Sequence, residues 1–302
     1  MARFTNQAQL RYGDSITNSN IAVGEILEVL SAAKTAVRSG YRQNDIITYV
    51  VSMVNSGAIA ITGLTVTDNL GAYAFDTATL VPLTYVADSI KYYVNGVLQP
   101  TPTVTAGASL VISGISIPAG GDAILVYETE TNAYTPLEAA ATVTNTATIT
   151  GGGITPVTIE ETVTAVSAPL LTINKAVSPV PVTENGRLTY TFTIQNFGSQ
   201  PVTADTGAVI TDTFDPILSD LAVTFNDTAW AETTNYTYDA TTGDFATVAG
   251  QITVPAATYA QNPTTGTWAV TPGSTRQDKR TPMEARLIIL FDQIFLIPSL
   301  IK

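Results

Sequence analysis

The sequence predicts an all-β protein that consists of two tandem antiparallel β-sandwiches, the second of them incomplete. Three observations favour this fold class: a pattern that occurs twice, short runs of alternating apolar and polar residues, and frequent turn signals between those runs. Val, Ile, Thr and Tyr pack well on a pleated surface and recur throughout the 302 residues. No stretch shows sustained helical periodicity.

The two copies of the pattern lie about 141 residues apart. In the first copy, Tyr49 begins a run that ends in Asn55-Ser-Gly57; in the second, Tyr190 begins a run that ends in Asn196-Phe-Gly198. Other residues recur at or near the same offset: Lys34 with Lys175, Asp68 with Asp212, and Pro118-Ala119 with Pro255-Ala256. A repeat of this size indicates two copies of one domain rather than a short solenoid unit.

These patterns predict four segments. Residues 1–29 form a leading strand or hairpin that docks on the first domain or, if it stays free, pairs with the edge of a neighbour. Residues 30–168 form the first domain, and residues 169–274 form a truncated second domain. The best hairpin signal is Asn95-Gly96 in the first domain, because a type I′ turn needs positive φ at both central positions.

Residues 275–302 differ in character from everything before them. A charged stretch precedes an almost continuous run of Leu, Ile and Phe from Leu287 onward. Three interpretations stay open: a divergent or frame-altered tail, a helix that docks on a partner or groove, and a membrane anchor that is short for spanning a bilayer. A divergent tail would leave the second domain without its closing strands and with an open edge.

Composition excludes several classes of function. The net charge of −12 opposes binding to phosphate backbones, so we expect no nucleic-acid partner. The chain contains no His and no Cys, which removes the commonest general base and the commonest metal ligands. We therefore predict a protein that is not an enzyme, with no catalytic residues, no cofactor and no metal site. No secretory signal and no membrane-spanning segment are visible in this chain.

Several segments together resemble the DUF11 conserved repeat domain, a family of tandem Ig-like surface modules in bacteria and archaea. They are Leu30-Ser-Ala-Ala-Lys34-Thr-Ala36, Asp45-Ile-Ile-Thr-Tyr49, Asn55-Ser-Gly57, Val66-Thr-Asp68, Pro118-Ala-Gly120 and Thr144-Asn-Thr-Ala-Thr-Ile149. The resemblance covers about nine-tenths of the chain. It implies tandem Ig-like sandwiches in an extracellular, cell-surface or coat location, with no known activity and no defined ligand. The chain departs from the family in its tail and in lacking a visible signal peptide.

The predicted function is that of a structural or spacer module in a bacterial cell surface or coat layer. Its action would be mechanical, through spacing, stacking, self-association and strand exchange by the N-terminal segment. The alternative is an adhesive module whose loops, at one end of a sandwich, recognise a glycan or protein. That alternative needs clustered exposed aromatic residues, for which Tyr92, Tyr93 and Tyr134 are the candidates.

One group of residues suggests covalent chemistry. Lys34 lies in the predicted first strand of the first domain, Asp68 at a strand end and Asn145 in a late strand. Burial of such a trio would lower the pKa of the amine and raise that of the carboxyl, so that a neutral amine could attack the amide and form an intramolecular isopeptide bond. Alternatively, Lys34 simply reaches the surface or pairs with Asp68.

Two further patterns have structural interpretations. In Asn55-Ser-Gly57 and its second copy, we expect Asn to cap a turn and Gly to adopt positive φ. The acids Glu128 and Glu130 share one face of a predicted strand, where we expect them to be solvated. The neighbours Glu160 and Glu161 must point to opposite faces.

Overall fold

The computed structural model describes residues 2–26, 28–182, 186–273, 285–291 and 293–294, and its strands confirm the all-β fold class. The chain divides into two compact units. The first comprises Met1–Thr135 and Thr142–Thr164, and the second comprises Pro136–Ala141 and Ala165–Lys302.

In the part of the first unit that the structure describes there are eighteen strands, numbered in chain order. They are β1 (Ala2–Asn6), β2 (Gln9–Tyr12), β3 (Ser15–Asn18), β4 (Ala22–Ile26), β5 (Leu30–Ala36), β6 (Gly40–Tyr41), β7 (Ile46–Asn55), β8 (Ile61–Asp68), β9 (Tyr73–Phe75), β10 (Ala78–Leu80), β11 (Leu83–Tyr85), β12 (Lys91–Val94), β13 (Val97–Leu98), β14 (Thr103–Ala106), β15 (Leu110–Ile117), β16 (Asp122–Thr131), β17 (Thr142–Gly151) and β18 (Val157–Ala165).

Two six-stranded sheets form the sandwich of the first unit. The first sheet has the order β13-β12-β16-β7-β5, with β11 also paired to β16. The second has the order β14-β15-β8-β17-β18-β6. Strict alternation explains the packing: Ile47, Tyr49, Val51 and Met53 on β7 are fully buried, while the residues between them face outward.

The described residues of the second unit form twelve strands and one short 3-10 turn, Ala204–Thr206. The strands are β19 (Leu171–Ser178), β20 (Leu188–Asn196), β21 (Thr211–Thr213), β22 (Leu218–Ser219), β23 (Ala222–Phe225), β24 (Thr228–Trp230), β25 (Tyr236–Tyr238), β26 (Asp244–Thr247), β27 (Thr258–Gln261), β28 (Trp268–Thr271), β29 (Ala285–Phe291) and β30 (Gln293–Ile294).

The strand order of the second unit repeats much of the first. Its larger sheet, β19-β20-β29-β23-β24, matches β5-β7-β16-β12-β13 strand for strand. The three-stranded sheet β21-β26-β25 matches β8-β15-β14. Among the described residues, however, no strand pairs with the other edge of β21, where β17 lies beside β8 in the first unit. Aromatic residues fill the core of the second unit, where Phe214 and Phe245 are almost fully buried.

The structure corrects the expectations for the tail. Strand β29 pairs antiparallel with β20 and with β23, so residues 285–291 form a central strand of the second unit rather than a docking helix. The second unit therefore has a counterpart of β16, one of the closing strands that the sequence analysis expected it to lack. Residues 274–284, 292 and 295–302 lie outside the described part of the chain.

The N-terminal segment forms a long two-part hairpin, here called the arm (Ala2–Ile26). Strand β1 pairs with β4, and β2 pairs with β3 around a turn at Gly13-Asp14. These four strands form two-stranded sheets of their own and join neither sheet of the sandwich. Large apolar side chains of the arm are exposed, with exposed fractions of 57% for Phe4 and 62% for Leu10.

Turn predictions had mixed outcomes. The Asn95-Gly96 hairpin is confirmed, with φ of 46° and 75° and with Val94 opposite Val97. Asn55 caps its turn as predicted, since its Oδ1 accepts the Gly57 N–H at 2.9 Å. The positive φ expected at Gly57 and Gly198 is wrong, because neither glycine adopts it. Close approach instead explains Gly198, where a Cβ would clash with the backbone of Ala168 and Leu170.

Candidate functional site: a buried Lys–Asp–Asn cluster

The candidate site lies between the two sheets of the first unit. Strand β5 carries Lys34 on its inward face, and β8 of the opposite sheet ends at Asp68. The Lys34 Nζ lies 2.5 Å from the Asp68 Oδ2, and both side chains have an exposed fraction of 0%. The structure thus brings together two of the three residues predicted from the sequence, in a place that water does not reach.

Three donors surround the Asp68 carboxyl. Its Oδ2 accepts hydrogen bonds from the Lys34 ammonium and from the Tyr127 hydroxyl, and its Oδ1 accepts the Leu70 N–H at 2.8 Å. Tyr127 comes from β16 of the facing sheet, directly opposite Tyr49 in the strand register. A buried carboxyl with this many donors has its position fixed from several directions.

Asn145 completes the predicted trio. In β17, Ala147 lies directly opposite Asp68, and Asn145 is two residues away on the same inward face. Asn145 is fully buried, yet neither its Oδ1 nor its Nδ2 has a hydrogen-bond partner. An unsatisfied buried polar group costs about 1–3 kcal/mol, so an orphaned amide at this position calls for a physical reason.

The Tyr49 ring connects the amine to the amide. Its centroid lies 4.8 Å from the Lys34 Nζ, and its buried hydroxyl also has no hydrogen-bond partner. The Asn145 side chain lies close enough to that hydroxyl to affect its titration, although the contact lacks the geometry of a hydrogen bond. The amine, carboxyl and amide groups therefore share one apolar pocket.

Burial dominates the electrostatics of the pocket. It lowers the pKa of Lys34, because desolvation of the ammonium outweighs the opposing attraction of Asp68 and, more weakly, of Glu161. It also raises the pKa of Tyr49 and of Tyr127, with the charge of Asp68 adding to both shifts. Burial therefore shifts Lys34 toward its neutral form and both phenols toward their protonated form.

This arrangement can support amide exchange. Asp68 is placed to take a proton from Lys34, which leaves a neutral amine as nucleophile. Attack on the Asn145 Cγ would form a Lys–Asn amide and release the side-chain nitrogen as ammonia. No oxidant or external reactant is needed, because the two ends of the new bond come from one folded chain.

The second unit contains the counterpart of the ion pair in a different environment. The Lys175 Nζ lies 2.5 Å from the Asp212 Oδ2, but the two side chains are 41% and 18% exposed. Three aromatic rings surround the ammonium, with centroids 4.7 Å away for Tyr190, 5.1 Å for Phe214 and 5.6 Å for Phe192. The strand that would carry an asparagine beside Asp212 is absent from the described residues.

Other predicted residues do not form a site. Glu128 and Glu130 lie on the outer face of β16, as expected for solvated acids. Within the described ranges, no group of three or more acids is placed to hold a metal ion. Glu160 is exposed and the neighbouring Glu161 is on the inward face of β18, opposite Asn145 in register.

The aromatic residues considered for ligand binding also do not share a surface. Tyr92 is buried, and its hydroxyl donates to the Ser116 carbonyl at 2.7 Å. The adjacent Tyr93 points to the opposite face of β12, and both it and Tyr134 are half-buried. The three tyrosines thus do not provide the exposed aromatic cluster that a loop-based binding site would need.

Sequence reasoning missed three members of the pocket: Tyr49, Tyr127 and Glu161. The sequence could have indicated Tyr49, since this residue begins the repeated pattern and recurs as Tyr190. The repeat could not have indicated Tyr127, because the residue opposite Tyr190 in the second unit is Ile289. Glu161 could have been found only from the register between β17 and β18.

Comparison with known proteins gave structural matches alone. No protein-family model matches the chain, and no curated protein does. The chain is similar to the collagen-binding subdomain of the Enterococcus faecalis surface protein ACE, at 7% identity and a TM-score of 0.29 over 47% of this chain and 99% of that one.

Two further solved structures match comparably. The major pilin subunit BcpA of Bacillus cereus matches at 11% identity and a TM-score of 0.32, over 70% of this chain and 69% of that one. AvmM, which catalyses macrocyclization in alchivemycin A biosynthesis, matches at 12% identity and a TM-score of 0.29, over 48% of this chain and 92% of that one.

Among the described residues, no helix is long and apolar enough to cross a membrane.

Proposed function

We propose that this protein is a non-catalytic structural module of a bacterial cell surface or coat layer, and that an isopeptide bond between Lys34 and Asn145 locks its first unit. The proposal also includes membership of the DUF11 family, which the repeated motifs support. Two tandem sandwiches without His or Cys suit mechanical spacing better than catalysis.

The observation that carries the cross-link is the orphaned Asn145 amide in the pocket that also holds the desolvated Lys34 amine. An unreacted amide in this pocket leaves two buried polar atoms unpaired. Reaction with Lys34 consumes the Nδ2 and leaves the ammonium proton on Asp68, so that the buried ion pair becomes a neutral amide and a carboxylic acid. The same step therefore removes a buried charge and one of the unpaired groups.

The bond would suit a load-bearing module. It would join β5 of one sheet to β17 of the other, across a loop of about 110 residues. By analogy with a disulfide that closes a loop of this length, it would stabilise the folded unit by roughly 4–5 kcal/mol. Strands joined in this way cannot separate under tension without breaking a covalent bond.

Intact-mass spectrometry tests the cross-link. The purified chain should be lighter than its sequence mass by about 17 Da, the mass of one ammonia released when the amine attacks the amide. Tandem mass spectrometry of a digest should find Lys34 joined to Asn145. The Lys34→Arg and Asn145→Ala variants should show the full sequence mass, while the matched control Lys175→Arg should keep the deficit. An unmodified wild-type mass would exclude the bond.

A further inference from the structure

The arm repeats the strand that closes the first sandwich. Its residues Phe4-Thr-Asn6-Gln-Ala8-Gln-Leu10 align with Val143-Thr-Asn145-Thr-Ala147-Thr-Ile149 of β17. Thr, Asn and Ala are identical at three positions, apolar residues occupy both ends, and polar residues lie between. In this alignment Asn6 occupies the position of Asn145.

Like that closing strand, the aligned segment of the arm belongs to an antiparallel hairpin, but it is divided between β1 and β2, with Gln7 and Ala8 in neither strand. Strand β17 pairs antiparallel with β18 after a turn at Gly151-Gly-Gly153, and the arm pairs β1 with β4 beyond a turn at Gly13-Asp14. Asn145 lies opposite Glu161, and Asn6 lies opposite Ala22. The two asparagines also differ in burial, since Asn145 is fully buried and Asn6 is exposed.

The described residues of the second unit contain no counterpart of the strand that the arm resembles. Strand β8 is paired on one edge with β15 and on the other with β17, while β21 is paired only with β26 in the described part of the chain. This edge, which is unpaired among the described residues, belongs to the strand that carries Asp212, the partner of the partly exposed Lys175. An unpaired strand edge offers a ready template for an added strand.

Charge also matches between the arm and this edge. A groove along β21, β25 and β26 is lined by the carboxylates of Asp212, Asp239 and Asp244. The arm as a whole is neutral, with Arg3 and Arg11 against Asp14 and Glu25, and Arg3 lies opposite Glu25 in the register. Arg11 lies opposite Ile16, so its charge is the one that the acidic groove would attract.

We infer that the arm of one copy adds to the free edge of β21 in the second unit of another copy and places Asn6 for covalent bonding to Lys175. The occupant of the edge is thus a second copy of this chain. Burial of the exposed apolar residues of the arm, among them Phe4 and Leu10, would drive docking. This linkage shares the chemistry proposed for the first unit but none of its residues.

The covalent step balances without an added reactant. The docked arm would shield Lys175 from water, and Asp212 would take a proton from its ammonium. The neutral Nζ would attack the Asn6 Cγ, Asp212 would pass its proton to Nδ2 and accept one from Nζ, and the Cγ–Nδ2 bond would break to release ammonia. Head-to-tail repetition of this step would give a linear covalent polymer, because the donor and acceptor surfaces are different.

Two full-length variants separate donor from acceptor. Lys175→Arg keeps the arm and loses the nucleophile, and Asn6→Ala keeps the nucleophile and loses the amide. Neither variant alone should form covalent oligomers. Their mixture should yield a dimer that survives boiling in SDS, about 17 Da lighter than the sum of its chains for the ammonia lost in the new bond. Tandem mass spectrometry should place the link between Asn6 and Lys175.

A matched control and the contrary outcomes complete the test. Asn18→Ala, another exposed asparagine of the arm, should link as well as the wild type. A mixture that stays monomeric, or that forms only a dimer dissociated by SDS, would overturn the proposal. Covalent oligomers of Asn6→Ala alone would do the same. Ammonia loss within the monomer reports the Lys34–Asn145 bond separately, so either proposal can fail without the other.

Discussion

The two units contain the same lysine–aspartate pair, with the same 2.5 Å separation, in opposite surroundings. Lys34 and Asp68 are fully buried, whereas Lys175 is 41% exposed. The difference comes from a neighbouring strand: β17 covers the first pair, and no described strand occupies that position in the second unit. The contact distance alone therefore says little about the reactivity of the pair.

The comparison shows what changes an ion pair into a reactive site. An exposed pair contributes about 0–1 kcal/mol, because water screens both charges. A buried pair loses solvation and is held by its surroundings, which is why the pKa of Lys34 is lowered. In this fold the closing strand performs both tasks, since it excludes water and carries the asparagine.

The largest expected difference between the units comes from removing the carboxylates. Asp68→Asn should destabilise the first unit by roughly 3–5 kcal/mol, because it leaves the buried amine without its counter-charge and blocks the cross-link. Asp212→Asn should cost the second unit about 0–1 kcal/mol. Hydrogen exchange in urea, followed on peptides from β7 and β20, resolves the two units. Equal losses would contradict the burial argument.

A second comparison concerns the tyrosine opposite Tyr49. Tyr127 donates to Asp68, while the corresponding position in the second unit is Ile289. Tyr127→Phe removes only that donor and should lower the free energy of unfolding of the first unit by roughly 1.5–3 kcal/mol, as for a hydrogen bond to a charged group. The urea midpoint measures this change, with Tyr85→Phe, on the short strand β11, as the control. No shift would mean that Lys34 and Leu70 alone hold the carboxyl.

At the repeated glycines Gly57 and Gly198, the larger loss of stability is expected in the second unit rather than in the first. A Cβ at Gly198 would meet the backbone of Ala168 and Leu170, whereas one at Gly57 would meet the side chains of Asn55 and Val29 at 3.1 Å and 3.2 Å. Gly198→Ala should therefore destabilise its unit by about 1–3 kcal/mol, and Gly57→Ala by less than about 1 kcal/mol.

Tryptophan fluorescence provides the measurement for Gly198→Ala. Both tryptophans of the chain, Trp230 and Trp268, belong to the second unit, so their unfolding signal reports that unit alone. The same signal should be unchanged in Gly57→Ala. If hydrogen exchange shows a larger loss of stability for Gly57→Ala than for Gly198→Ala, the side chains of Asn55 and Val29 cannot move aside for a Cβ.

The smallest effect is a dependence on pH. In an Asn145→Ala background the amine cannot be consumed, and the lowered pKa of Lys34 means that the unfolded chain binds more protons than the folded one below 10.5. Stability should therefore rise with pH toward 10.5, by at most about 1.4 kcal/mol per unit. Denaturation midpoints relative to Asn145→Ala with Lys34→Met measure the slope. A flat profile would mean that Lys34 stays charged in the folded state.

Much of the fold could be predicted from the sequence because strands leave a periodic record. The alternation in Ile46–Asn55, the Asn95-Gly96 turn and the duplicated motif all follow from local sterics and burial. The offset shared by Lys34 and Lys175 also indicated one functional position in each repeat. These features depend on neighbours in the chain.

The tail shows where this reasoning stops. Leu287 and its apolar neighbours lack the alternation of a half-exposed strand, so their pattern also fits a buried helix segment. Only the pairing with β20 and β23 shows that they occupy the middle of a sheet. A central strand is paired along both of its edges, and the sequence alone does not record those partners.

By itself the sequence determined the all-β class, the duplication, the absence of histidine and cysteine chemistry, and the three residues of the candidate cross-link. Only the tertiary structure decided which lysine is buried, which tyrosines surround it and that the Asn145 amide has no partner. It also separated the arm from the sandwich whose closing strand it resembles. Periodicity is a property of one strand, whereas desolvation depends on strands that are far apart in the chain, and so only packing can fix it.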